Sequence, residues 1–351
     1  MPTIILTGGG TAGHCTPHVA LLPYLKNYFD KIYYIGSENG IEKEIISKEN
    51  IPYFSVPCEK LRRDFSIKNL IMPFKVINGT FKAGKIIDKL KPNVIFSKGG
   101  YVAVPTVIAG SRRNIPVISH ESDYTLGLAN KITAKMCKEV LTSFPQTALT
   151  LQNGKHVGSP IRKVIFNKNE SLSLKHFGFL GKKPILLVLG GSLGSLMINK
   201  SLRLALDSIL QKFDVIHVCG KNNLDTTINK NGYYQTEYMF DIEKAFSIAS
   251  VCVARAGSNS VFELMALKIP TVLIPLPKGA SRGDQIFNAE HFQKLGLAYV
   301  LPQSALTPES LNFAVNSTYA NRFTLAQNFS NTPIKDASEK IVEIIVQNIR
   351  V

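Results

Sequence analysis

Short apolar runs recur through the first half of the chain at residues 3–7, 32–35, 53–56, 94–97, 117–120 and 140–143, separated by stretches long enough for helices. None alternates strictly between apolar and polar positions, which is the mark of strands buried on both faces of a parallel sheet. The first run breaks at Gly8-Gly9-Gly10-Thr11-Ala12-Gly13, and Pro17 then opens a segment with Val19, Leu22 and Leu25 at helical spacing. Strand, glycine loop and helix therefore follow one another. After a polar stretch at 167–175 the opening recurs: residues 184–189 are apolar, Gly190-Gly191-Ser192-Leu193-Gly194-Ser195 interrupts them, and 196–210 is amphipathic. Further strands are expected at 215–218, 251–254, 271–274 and 298–300, with helices around 241–249, 261–267 and 285–295, another from Pro308, and a last one over 337–349. The pattern predicts two doubly wound α/β units, with their junction near 158–175.

Composition narrows this picture. A chain of 351 residues is expected to hold about two domains. With 45% hydrophobic and 19% charged residues it is too apolar for disorder. The five cysteines, Cys15, Cys58, Cys137, Cys219 and Cys252, are scattered and never in C-x-x-C spacing. That argues against a zinc ribbon or a disulfide scaffold and fits a reducing compartment. The N-terminus lacks the basic and apolar regions of a signal peptide, and no uncharged run approaches the roughly 20 residues that span a bilayer. A cytoplasmic protein is expected. Lys and Arg total 41 against 25 Asp and Glu, a formal charge of +16, so an anionic partner is expected: nucleic acid, anionic lipid or a phosphorylated substrate.

The motifs discriminate among these. Gly8-x-Gly10-x-x-Gly13 after a strand matches the dinucleotide fingerprint, but the acidic residue expected about 20 positions on is missing, since Glu38 lies farther away. Two equivalent glycine loops, one per half, say more, because the carboxyl ends of parallel strands are where open α/β sheets bind ligands. They are expected to face each other across an interdomain cleft. His14 and His18 lie four apart, yet no third metal ligand follows and no Asp-x-Asp diad occurs. His14 is expected to face the cleft and His18 to pack locally. His120-Glu121-Ser122-Asp123 sets a base beside a carboxylate at a strand end, although a solvated loop would look similar. Arg255-Ala256-Gly257-Ser258-Asn259 leads into a helix carrying Glu263, offering N–H groups to an anion. Arg162 in Gly158-Ser159-Pro160-Ile161-Arg162 is placed to reach a diphosphate, or else decorates a linker. Lys60, Leu61, Arg62 and Arg63 precede an apolar and basic segment at 67–77, which suits either a membrane interface or an ordinary helix with a core face. Dispersed basic residues without a recognition motif disfavour nucleic acid.

Together these motifs resemble the MurG family of bacterial glycosyltransferases over most of the chain. The resemblance rests on Gly8 to His14 with Pro17, Gly99-Gly100-Tyr101-Val102 with Pro105, His120-Glu121, Gly158-x-Pro160-x-Arg162, Gly190-Gly191-Ser192-x-Gly194, Arg255-x-Gly257, Glu263 and Asp284-Gln285-x-x-Asn288-Ala289. It implies a GT-B fold, two Rossmann-like doubly wound domains facing a cleft. Residues 1–160 with a returning helix at 335–351 would form the acceptor and membrane-associating domain, and 161–334 the donor domain. The implied reaction is metal-independent, inverting transfer of N-acetylglucosamine from UDP-N-acetylglucosamine to the 4-hydroxyl of lipid-linked muramyl-pentapeptide, in peptidoglycan synthesis at the cytoplasmic face of the inner membrane. No cofactor is implied. By the same resemblance Glu263 binds the ribose, Ser192 and Arg162 the diphosphate, the Met239 backbone the uracil, and Gln285 with Asp284 the sugar hydroxyls. Thr11, Ala12 and Gly13 line the acceptor side, while Tyr101, Asp123, Gly191, Arg255, Ser258 and Asn259 complete the substrate-binding set. His14 is the favoured base, with His120 and Glu121 as alternatives. One departure stands out: the family's His-Glu-Gln-Asn is His120-Glu121-Ser122-Asp123 here, turning an amide into a carboxylate. The rivals are a GT-B enzyme with another acceptor and a nucleotide-sugar-binding module without catalysis.

Overall fold

The computed structural model describes residues 2–59, 68–191, 194–279 and 282–350. The chain divides into two compact units, Met1–Arg162 with Asp336–Val351, and Lys163–Lys335. The first holds seven strands, β1 (Thr3–Thr7), β2 (Lys31–Gly36), β3 (Tyr53–Ser55), β4 (Val94–Ser97), β5 (Val117–Glu121), β6 (Glu139–Thr142) and β7 (Gly154–His156). Around them lie α1 (Thr16–Leu25), α2 (Ile41–Ser47), α3 (Lys68–Leu90), α4 (Val104–Ser111), α5 (Leu128–Thr133) and α6 (Pro145–Leu149). All strands are parallel, in the order β3-β2-β1-β4-β5-β6-β7.

The unbroken apolar runs follow from this layering. Every residue of β1 is buried. Ile4 and Leu6 join Leu21, Leu25, Val94 and Phe96 on one face, and Ile5 joins Ile35, Ile95, Val107 and Val140 on the other. Because successive strand side chains point to opposite faces, a strand between two helical layers needs apolar residues at every position. Burying each such side chain contributes roughly 1.5–3 kcal/mol.

The second unit repeats the plan with β8 (Ile185–Leu189), β9 (Asp214–Val218), β10 (Tyr233–Thr236), β11 (Ala249–Ala254), β12 (Thr271–Leu273) and β13 (Ala298–Val300), again parallel, in the order β10-β9-β8-β11-β12-β13. Its helices are α7 (Glu170–Phe177), α8 (Leu196–Leu210), α9 (Ile242–Ile248), α10 (Ser258–Ala266), α11 (Asp284–Lys294), α12 (Pro308–Ala320) and α13 (Arg322–Asn331). In both sheets the first strand lies between the second and the fourth. A switch point, where loops leave the sheet in opposite directions, therefore opens beside β1 and again beside β8.

The final helix, α14 (Ser338–Gln347), belongs to the first unit and buries Ile341, Val342, Ile344 and Ile345 in the core that holds Leu21, Leu22 and Leu25 of α1. Asp336 ties its start down. Its carboxylate accepts from the Ile161 and Ser338 backbone N–H groups at 2.8 and 2.9 Å and from the Ser338 hydroxyl at 2.6 Å. The Ala337 N–H donates to the Ser159 carbonyl at 3.1 Å. Both passages of the chain out of the first unit are thus fastened to each other. Two edge strands, β7 and β10, carry no apolar run and were not expected; half-exposed edges do not require one.

Candidate functional site

At the first switch point the loops after β1 and β4 pack against each other with no room for side chains. Gly10 has φ +86°, and a Cβ there would lie 2.4 Å from Tyr101 Cε1; Gly100 has φ +76°, and its Cβ would meet the Gly9 carbonyl oxygen at 2.2 Å. Only glycine combines that backbone with that proximity. The loop is propped from below by Glu42, a fully buried carboxylate in the first turn of α2, which accepts from the Gly10 and Ser37 N–H groups, each at 3.1 Å, and from the Ser37 hydroxyl. Thr11 and Gly13 are exposed, and Ala12 and His14 are half-buried on the short 3-10 turn Ala12–His14. His14 Nδ1 pairs with Thr11 Oγ1 at 2.8 Å. His18 is wholly buried, edge-on to Tyr34 and Phe96. Burial, then the charge of Lys98, pushes its pKa down to about 3, so it is a neutral core residue.

β5 carries His120 and Glu121 into a different setting. His120 is 0% exposed with both ring nitrogens engaged: Lys98 Nζ donates to Nδ1 at 2.6 Å, and Nε2 donates to the Gly158 carbonyl at 2.9 Å. Burial, followed by the Lys98 charge, holds its pKa well below the usual imidazole value. Glu121 is buried and accepts from the Asp123 and Gly127 N–H groups at 3.1 and 2.8 Å and from Asn130 Nδ2 at 2.9 Å. It shapes the loop that carries half-buried Asp123.

The second unit brings Gly191, Arg255, Ser258, Asn259 and Glu263 to the carboxyl ends of β8 and β11. Ser192 lies outside the described residues. Gly194 has φ +75°, and a Cβ would sit 2.1 Å from the Cys219 carbonyl oxygen, so the turn into α8 requires glycine. Ser195 caps α8, its hydroxyl accepting from the Ile198 N–H at 3.4 Å. Arg255, 9% exposed, donates to that hydroxyl at 2.6 Å and to the Ile274 carbonyl at 3.1 Å. It braces the glycine loop against the end of β12 while burial depresses its pKa. Glu263 is half-buried, one turn into α10. Gln285 Oε1 accepts from the Leu276 N–H at 3.1 Å, and Asp284 lies 3.4 Å from Arg282 Nε. Met239 is buried after β10, between exposed Tyr238 and Phe240. Arg162 is the last residue of the first unit.

Of the apolar and basic segment, residues 60–67 lie outside the described residues. Along α3, Phe74, Ile77 and Phe81 are exposed at helical spacing beside Lys75, Lys82 and Lys85, while Ala83 and Ile87 join the core. Leu128, Ile132 and Met136 form a second exposed row with Lys131 and Lys135. Among the described residues no helix is long and apolar enough to cross a membrane, and no cluster of three or more His, Cys, Asp or Glu could hold a metal ion. Sequence reasoning missed Glu42 and Lys98. Their only signals were an acidic residue opening a helix and a lone lysine ending an apolar run.

Two parallel-sheet units of this order, each with a glycine loop at its switch point, define the GT-B class. A glycotransferase of kitacinnamycin shares the fold at TM-score 0.76 and 13% identity, over 99% of each chain. MurG from Acinetobacter baumannii is similar at TM-score 0.77 and 25% identity, over 99% of this chain and 100% of that one. Residues 4–142 match the glycosyltransferase family 28 N-terminal domain, and 185–344 its C-terminal domain. The UDP-N-acetylglucosamine--N-acetylmuramyl-(pentapeptide) pyrophosphoryl-undecaprenol N-acetylglucosamine transferases of Clostridium tetani and Clostridium botulinum are each 47% identical to it, over 97% and 98% of this chain and 97% and 99% of their own. The chain belongs to glycosyltransferase family 28 and, within it, to the MurG family.

Proposed function

We propose that the protein transfers N-acetylglucosamine from UDP-N-acetylglucosamine to the 4-hydroxyl of lipid-linked muramyl-pentapeptide, with inversion and without a metal. The observation that carries this reading is the identity of 47%, over nearly the whole length, to transferases whose names state that donor and acceptor. The second unit takes the donor: Glu263 the ribose, the Met239 backbone the uracil, Gln285 and Asp284 the sugar. The first unit takes the acceptor along Thr11, Ala12, Gly13 and Tyr101.

In such a displacement the hydroxyl attacks the anomeric carbon as UDP leaves, so a proton acceptor and an anchor for developing negative charge are both needed. The helix N-termini after Gly191 and Gly257 supply the anchor without a cation. His14 is the base. In the tautomer that donates Nδ1–H to Thr11 Oγ1, Nε2 takes the proton. His120 and Glu121, whose polar atoms are committed within the fold, position the acceptor loop instead.

We further propose peripheral attachment to the cytoplasmic face of an anionic membrane through the α3 row and its lysines, since apolar burial and attraction to head groups add. UDP release in the presence of excess EDTA tests the reading. It should depend strictly on the lipid-linked muramyl-pentapeptide; release that is independent of the acceptor, or abolished by EDTA, would refute it.

A further inference from the structure

We propose that Lys98 is a positioning residue for the acceptor, its ammonium neutralising the carboxylates of Glu121 and Asp123 so that the loop after β5 tolerates an anionic substrate. The inference rests on the acceptor reading above. Lys98 directly follows β4, is 2% exposed, and is anchored by its own N–H to the Thr7 carbonyl at 2.9 Å. Its Nζ donates to His120 Nδ1 and to Ser122 Oγ, both at 2.6 Å. Because His120 gives its Nε2 proton to the Gly158 carbonyl, the neutral ring can only accept at Nδ1, which leaves Lys98 as the donor of that bond. The lysine therefore holds both the histidine ring, at Nδ1, and the first residue of the loop.

An ammonium this deep is costly unless it is compensated. The groups facing it are His18 from α1, His120 and Glu121 from β5, and Asp123 from the loop. Both histidines are held neutral, so the two carboxylates are its counter-charges. Asp123 puts a negative charge on the loop itself. Next to a diphosphate-bearing acceptor that charge would repel the substrate unless a cation lay beneath it. Burial brings the Lys98 pKa down to about 7, with Glu121 and Asp123 opposing the fall.

Steady-state kinetics of the full chain decide the matter. Lys98→Met should raise the acceptor KM about tenfold, with kcat and the UDP-sugar KM moving far less, as expected when one partner of a buried charge set is removed. Adding Asp123→Asn should bring the acceptor KM most of the way back, a rescue that a purely structural lysine would not show. A folded Lys98→Met protein with unchanged acceptor KM, or a defect that Asp123→Asn leaves in place, overturns the proposal. If the single variant does not fold, the unaltered protein serves. Its acceptor KM should climb as pH rises through about 7, where Lys98 loses its charge, while the donor KM stays level. An acceptor KM that is flat from about pH 6 to about pH 9 overturns it equally.

Discussion

At the scale of single residues, turnover should hang most steeply on the proton acceptor assigned to His14. His14→Ala is expected to cut kcat roughly 10²- to 10⁴-fold, the usual contribution of general-base catalysis, while UDP affinity measured by calorimetry stays unchanged. Full turnover in that variant would move the base elsewhere. His14 was legible because it closes the glycine loop after a strand run, and His120 and Glu121 because they end one, but their standing relative to one another was not. Contacts with residues distant in sequence are not encoded locally: His120 meets Lys98 and Gly158, and Glu121 meets Asn130. Glu42 escaped notice for the same reason. It reaches Gly10 from another helix, and no periodicity encodes that approach.

At the scale of elements, the strands of the two cores could be read directly, since burial on both faces leaves an unbroken apolar run such as Ile185–Leu189. Edge strands such as Tyr233–Thr236 leave none. The α3 segment was ambiguous because apolar residues at helical spacing describe a core face and a membrane face equally well. The helix carries both a core row and an exposed apolar row: Phe74 is 73% exposed and Phe81 63%, while Ala83 and Ile87 are buried. Flotation with anionic liposomes should carry the protein upward at low salt. Phe74→Ser with Phe81→Ser should weaken that binding, and raising the salt should weaken it further. Binding that ignores both changes would separate α3 from the membrane.

At the scale of the whole molecule, two sheets with the same strand order each bury a neutral histidine. His18 in the first unit and His217 in the second have pKa values pushed down to about 3, mainly by burial. An unfolded chain binds those protons at ordinary imidazole pKa, so stability is complete above about pH 6.5 and falls as pH drops toward 3. Each histidine should withdraw about 1.4 kcal/mol per pH unit across that window. Urea midpoints taken from neutral to acid pH should decline accordingly, and a flat profile would contradict buried neutral rings. The doubled architecture was legible because its glycine loops repeat. The chemistry it serves is tested most directly by the product. Labelled N-acetylglucosamine from the UDP donor should appear in the lipid fraction, β-linked to the muramyl 4-hydroxyl by nuclear magnetic resonance. No label in that fraction, or an α linkage, would contradict inverting transfer to this acceptor.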